Sequence, residues 1–214
     1  MRILTYNSYQ LEIIDELTYI VRSSDNNFNY DFVYHDTDSL EYKSCCHGVK
    51  IYQDELLVGS AIVCDVGGAT DIYKNSIIID QNTLLICCAN KLFSLNLTDL
   101  NLNRMTQIDI ATCFGVFEAN DGLFTNGELE VTRLDKYGNI VWQTGLRDIL
   151  VNIDNEQDCF ILHDAYMELQ DFNSNIYHLD LNGTAIKETL SESQKRDDSI
   201  GNNGNPKKWW EFWD

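Results

Sequence analysis

The sequence predicts an all-β protein built from antiparallel hairpin repeats, and three observations predict it. The first is a recurring turn: an apolar run reaching leucine, then Asp or Asn, a polar turn, and a second apolar run. Its clearest copy is Leu134-Asp135-Lys136-Tyr137-Gly138-Asn139-Ile140-Val141-Trp142, and looser copies are Leu95-Asn96-Leu97-Thr98-Asp99 and Leu179-Asp180-Leu181-Asn182-Gly183. The second is spacing. The copies lie 39 residues (95 to 134) and 45 residues (134 to 179) apart, close to the roughly 40–45 residues of a four-stranded blade. Leu169-Gln170-Asp171-Phe172-Asn173 fits the turn slot equally, which shortens the last spacing to 35 and makes Ile176–Leu179 the following strand. The third is alternation in Glu128–Leu134, where Leu129, Val131 and Arg133 face one side and Glu128, Glu130, Thr132 and Leu134 the other. That period of two reads as a half-buried strand. Together they describe a partial or small β-propeller-like body.

Taken in order, residues 1–190 read as a single all-β domain whose first 45 residues supply N-terminal strands. These begin with Ile3–Tyr6 and continue through Leu11–Val21, read as two short strands around Asp15-Glu16 rather than as a helix face, and the alternating Phe28, Tyr30, Phe32, Tyr34. Residues 46–190 are the repeat body, with turns at Gly67-Gly68, Asn120-Asp121-Gly122, Tyr137-Gly138-Asn139 and Asn182-Gly183. Trp142 is expected to be buried between repeat units. Residues 191–208 are a polar linker expected to be disordered. Residues 209–214, Trp-Trp-Glu-Phe-Trp-Asp, are an aromatic C-terminal tail that carries three of the four tryptophans.

Composition bounds the function. The chain of 214 residues is 44% hydrophobic, enough for a sizeable core. It has no 18-residue apolar run and no apolar leader segment, so a cytoplasmic protein is expected. Residues 1–190 carry 29 acids and 11 bases, net −18 of the total −19. Such a field repels nucleic-acid phosphate and anionic membranes and attracts basic proteins. The expected partner is therefore a basic protein, with no nucleic acid and no stable membrane association. Seven cysteines, an odd number without C-x-x-C spacing, read as reduced buried thiols. Cys45-Cys46 and Cys87-Cys88 are adjacent pairs, and neighbours on a strand point to opposite faces, which disfavours a shared metal.

Catalytic patterns are not found: no G-x-S-x-G, no phosphate-cradling glycine loop and no H-E-x-x-H. His35, His47, His163 and His178 are scattered, and the dipeptides His35-Asp36 and His163-Asp164 are expected by chance in so acidic a chain. No cofactor, metal site or catalytic residue is assigned. The candidate partner-binding residues are the exposed aromatics Trp209, Trp210, Phe212 and Trp213, which suit a hot spot, and the acidic turns Asp36 and Asp38, and Asp154, Glu156 and Asp158.

The run Leu134-Asp135-x-x-Gly138-x-x-x-Trp142 resembles the signature of PQQ-like β-propeller repeats. The resemblance implies that Gly138 makes the hairpin turn and that Trp142 packs between neighbouring units. Asn103 and Lys187 stand at that tryptophan position in the other copies, and the chain is far shorter than the quinone-dependent dehydrogenases, so no quinone is expected. The stretch from Gly67 to Trp142 also resembles a group of uncharacterised small bacterial proteins. The ending Lys207-Lys208-Trp209-Trp210-Glu211-Phe212-Trp213 is similar to short tails on several bacterial proteins, among them immunity proteins of toxin systems. The reading is thus a noncatalytic acidic binding protein, concretely an immunity protein that neutralises a basic toxin. The alternatives are a carboxylate-dependent hydrolase on a β-repeat scaffold and a structural or adaptor module.

Overall fold

A computed structural model describes residues 1–36, 43–119, 121–151, 159–192 and 195, and within them the chain forms seventeen strands in four sheets. In the first sheet β1 (Arg2–Tyr6), β2 (Tyr9–Asp15), β4 (Cys45–Gln53) and β5 (Leu56–Asp65) run antiparallel in the order of the chain. Strand β3 (Phe32–His35) is added parallel to β5 at the edge. The second sheet is β6 (Ile77–Asp80), β7 (Thr83–Cys88), β8 (Lys91–Asn96) and β9 (Leu102–Gln107). The third is β10 (Cys113–Ala119), β11 (Gly122–Gly127), β12 (Glu130–Asp135) and β13 (Ile140–Gly145). The fourth is β14 (Phe160–Leu162), β15 (Tyr166–Gln170), β16 (Ile176–Asp180) and β17 (Ala185–Thr189). Successive four-stranded meanders are the architecture of propeller-type folds.

The recurring turn has one chemistry. Asp135 Oδ1 accepts the N–H groups of Tyr137 at 2.8 Å and Asn139 at 2.9 Å, and Gly138 closes the turn onto the Asp135 carbonyl with φ 77°. Asp180 does the same for Asn182 and Thr184, with Gly183 at φ 83°. Asn96 holds Thr98 in a turn one residue longer, with Leu100 at φ 57°. All three join the third strand of a sheet to its fourth, so the 39- and 45-residue spacings mark equivalent corners. Asp171 repeats the chemistry with Asn175 at the preceding corner, between β15 and β16, which explains why that segment fits the same slot.

The core lies between sheets, and it corrects the half-buried reading. Leu84, Ile86 and Cys88 of β7 pack with Leu11, Ile13, Val49 and Val63 of the first sheet, while Leu85 and Cys87 turn to Val116, Leu123 and Leu134 of the third. On β12 the two faces were assigned correctly, but both are buried: Val131 packs with Phe160, Met167 and Tyr177 of the fourth sheet, and Leu134 with the second. A strand sandwiched between two sheets loses the polar face that alternation implies. Each fully buried leucine, isoleucine or phenylalanine there contributes about 1.5–3 kcal/mol.

The N-terminal region differs from expectation. No strand follows Asp15-Glu16, and of the alternating aromatics only Phe32–His35 forms one. Tyr19 and Tyr30 instead fold from irregular chain onto Cys46, Ile62 and Cys64. Strand β4 starts at the boundary expected at 45, and β1, β2 and β3 share its sheet. The cysteines also differ: Cys46 and Cys64, register partners on β4 and β5, are disulfide-bonded, while Cys45, Cys87, Cys88 and Cys113 are free thiols.

Candidate functional site

Alternation along β4 sorts its side chains. Cys46 points to the Tyr19/Tyr30 side, whereas Cys45 and His47 point into the interface with the second sheet and meet Cys88 at the end of β7. The potential ligand atoms of Cys45, His47 and Cys88 lie within 4.8 Å of one another. His47 Nε2 is 3.2 Å from Cys45 Sγ, and Nδ1 faces Oδ1 of Asp15, its register partner on β2, at 3.5 Å. That second distance suits an ion pair better than a hydrogen bond. The Cys88 thiol points at the carbonyls of Cys45 and Val63 at 3.6 and 3.7 Å.

Electrostatics polarise the cluster. Hydrogen bonding to Cys88 first, and His47 beside it, bring the Cys45 thiol down to about 4 against the effect of burial. Burial opposes charge on His47, yet Asp15 and Cys45 hold it up at about 9. Burial, with Cys45 adjacent, pushes the Cys88 thiol well up. A thiolate, an imidazolium and a carboxylate in this order have the layout of the nucleophile, its already protonated base and the orienter of covalent catalysis. Cys45, His47 and Cys88 are 3%, 1% and 0% exposed, so no substrate reaches them.

The open surface lies elsewhere. The β4–β5 hairpin turns on Asp54 and Glu55, both left-handed at φ 49° and 65°, as a two-residue hairpin loop demands. The next three residues, Leu56, Leu57 and Val58, are 70%, 44% and 54% exposed. Beside them a groove of about 480 Å³ is lined by Glu12, Asp54 and Glu55 together with Ile3 and Tyr52, whose hydroxyl donates to Glu12 at 3.1 Å.

A second concavity of about 510 Å³ lies between the third and fourth sheets and gathers Glu118, Asp121, Asp135 and Asp164 around Arg133 and His163. The Arg133 guanidinium sits 4.4 Å over the Phe124 ring and pairs with Asp121. Arg133 Nη1 and His163 Nε2 are buried there without a hydrogen-bond partner among the described residues. His163 stacks on Tyr166, and Tyr166 on His178.

Of the residues proposed from sequence, Asp36 is described. It accepts from Lys91 at 2.8 Å, and Lys91 also pairs at 2.7 Å with buried Asp65, so Asp36 belongs to an internal ion-pair group. Asp38, Asp154, Glu156, Asp158, Trp209, Trp210, Phe212 and Trp213 lie outside the described residues. The Cys45/His47/Cys88 cluster escaped the sequence reading, which weighed adjacent cysteines. The available signal was the i, i+2 spacing of Cys45 and His47 on one strand face; Cys88 joins them only through sheet packing.

No known protein family and no curated protein matches the chain. Solved structures similar to it include BamB from Moraxella catarrhalis, 16% identical over 76% of this chain and 50% of that one, with TM-score 0.49. Another is the Pan2 WD40 domain of Neurospora crassa, 14% identical over 55% of this chain and 38% of that one, with TM-score 0.44. A third is the AfRom2 CNH domain, 12% identical over 68% and 48%, with TM-score 0.43. The chain spans half the length of these structures or less, and the similarity is one of fold alone.

Proposed function

We propose that the chain is a noncatalytic acidic binding protein that captures a basic protein, most concretely an immunity-type protein covering a basic toxin domain. The observation that carries this reading is the β4–β5 hairpin, where three consecutive apolar residues stand exposed directly after Asp54 and Glu55. Three exposed apolar residues in a row are a defect unless a partner covers them. Burying each is worth up to about 1.5–3 kcal/mol, and the acids beside them favour a cationic rim on the partner. The net charge of −18 on residues 1–190 supports steering of such a partner. Trp209, Trp210, Phe212 and Trp213 are further aromatic anchors in this reading. The test is coexpression with a basic toxin domain, the gene neighbouring this one being the first source to try. Wild-type protein is expected to restore growth, and the variant Leu56→Ser/Leu57→Ser/Val58→Thr to fail while remaining folded. Equal protection by both would sink the hairpin assignment, and no protection by either would sink the immunity reading.

The cleft between the third and fourth sheets favours a second reading, the carboxylate-dependent hydrolase. It brings four carboxylates together with Arg133, whose Nη1, and His163, whose Nε2, are buried without a hydrogen-bond partner among the described residues. Turnover of glycosides or phosphoesters that disappears in Asp121→Asn and Asp164→Asn would select it over the first.

A further inference from the structure

We propose that Cys45, His47 and Cys88 hold one thiophilic d10 cation, zinc(II) or copper(I), between the first and second sheets, with Asp15 orienting His47. Two thiols and an imidazole are the donors such ions prefer. Zinc takes thiolate at about 2.3 Å and imidazole at about 2.0–2.1 Å, so at tetrahedral angles neighbouring donors of one centre lie about 3.6–3.8 Å apart. The three atoms here lie within 4.8 Å of one another, so side-chain shifts of up to about 1 Å bring them onto one centre. His47 turns Nε2 to Cys45 and Nδ1 to Asp15, 3.5 Å away. A ligating histidine characteristically offers its second ring nitrogen to a carboxylate in this way. Both atoms of that His47–Asp15 contact are buried and lack a good hydrogen bond among the described residues, as expected where a shift of the imidazole completes the arrangement.

Charge balance favours the ion. Two thiolates neutralise zinc(II), and binding releases to solvent the protons that the three donors carried, leaving His47 neutral with its Nδ1–H toward Asp15. The Thr70 carbonyl, 3.7 Å from Cys45 Sγ, offers a fourth position for zinc, while copper(I) is satisfied by three donors. Because the donors are sealed, the ion enters as the sheets assemble, and it then clamps β4 to β7.

The test uses the full chain, purified anaerobically from cultures supplemented with zinc or with copper. Native mass spectrometry is expected to find one ion per chain, and the two cultures distinguish the metals. Cys88→Ser and His47→Gln are expected to lower occupancy at least tenfold, whereas Cys87→Ser, on the opposite face of β7, leaves it unchanged. Should the first two variants fail to fold, refolding the wild type with cobalt(II) decides: a thiolate-to-cobalt charge-transfer band is expected. Wild-type protein that is folded yet metal-free from both cultures and shows no cobalt band would overturn the proposal. So would a Cys45–Cys88 disulfide in the anaerobic protein, or full occupancy in folded Cys88→Ser.

Discussion

Trp142 and Gly183 join the third sheet to the fourth. The indole Nε1 donates to the Leu181 carbonyl at 3.3 Å, and a Cβ at Gly183 would stand 3.0–3.2 Å from the indole ring carbons. Gly183 also sits at φ 83°, where a side chain is strained. Gly183→Ala is therefore expected to cost about 1–2 kcal/mol, lowering Tm by roughly 2–8 °C in scanning calorimetry. An unchanged Tm would mean the indole does not lie against the turn.

Asp109 is a fully buried acceptor for four backbone N–H groups: Ala111 at 2.6 Å and Thr112 at 3.1 Å on one oxygen, Leu129 at 2.9 Å and Glu130 at 2.8 Å on the other. It ties the chain entering the third sheet to the β11–β12 turn. Asp109→Ala strands those donors and is expected to cost about 3 kcal/mol or more. The urea midpoint should fall with little change in slope.

Glu130 offers a pH signature. Burial first, and then the charge of Asp109, raise its carboxyl above its ordinary value of 4.5. The ionised form is thus penalised in the folded state, fully above the raised value and not at all below 4.5. Glu130→Gln keeps an acceptor for Gln143 Nε2, now 3.0 Å from Oε2. The variant is expected to be more stable than wild type at pH 7, with the advantage vanishing as pH falls through that window. A variant less stable at pH 7 would contradict the sign.

Lys91 separates two kinds of ion pair. Burial opposes its charge, but Asp36 and Asp65 raise it above the ordinary lysine value. Lys91→Met leaves Asp65 buried and uncompensated, at a cost of about 3–5 kcal/mol. Asp36→Asn touches the more exposed partner and should cost less than about 1 kcal/mol. Denaturation midpoints of the two variants check the contrast; equal losses would place the burial wrongly.

Much of this fold was legible because the turn chemistry is local. Asp135 with Gly138, and Asp180 with Gly183, specify their corners within five residues, and the corners set the repeat. The β12 faces were legible too, but not that both are covered, since Val131 and Leu134 find their partners in different sheets. The first sheet was harder: β2 and β4 pair across a long excursion in which Phe28 and Tyr30 alternate like a strand yet, with Tyr19, pack as loop residues. The cysteine cluster was least legible. Cys45 and Cys88 lie far apart in sequence, and the positions that unite them are set by sheet packing rather than by any local pattern.

The binding account is tested most directly by stopped-flow association with the basic toxin domain found in that coexpression, between about 50 and 500 mM salt. Over that range the Debye length falls from about 14 to about 4 Å. The account predicts an on-rate that drops at least tenfold across the range, and a dissociation rate that rises at least tenfold in Leu56→Ser/Leu57→Ser/Val58→Thr. An on-rate flat in salt, together with unaltered dissociation of the variant, would contradict it.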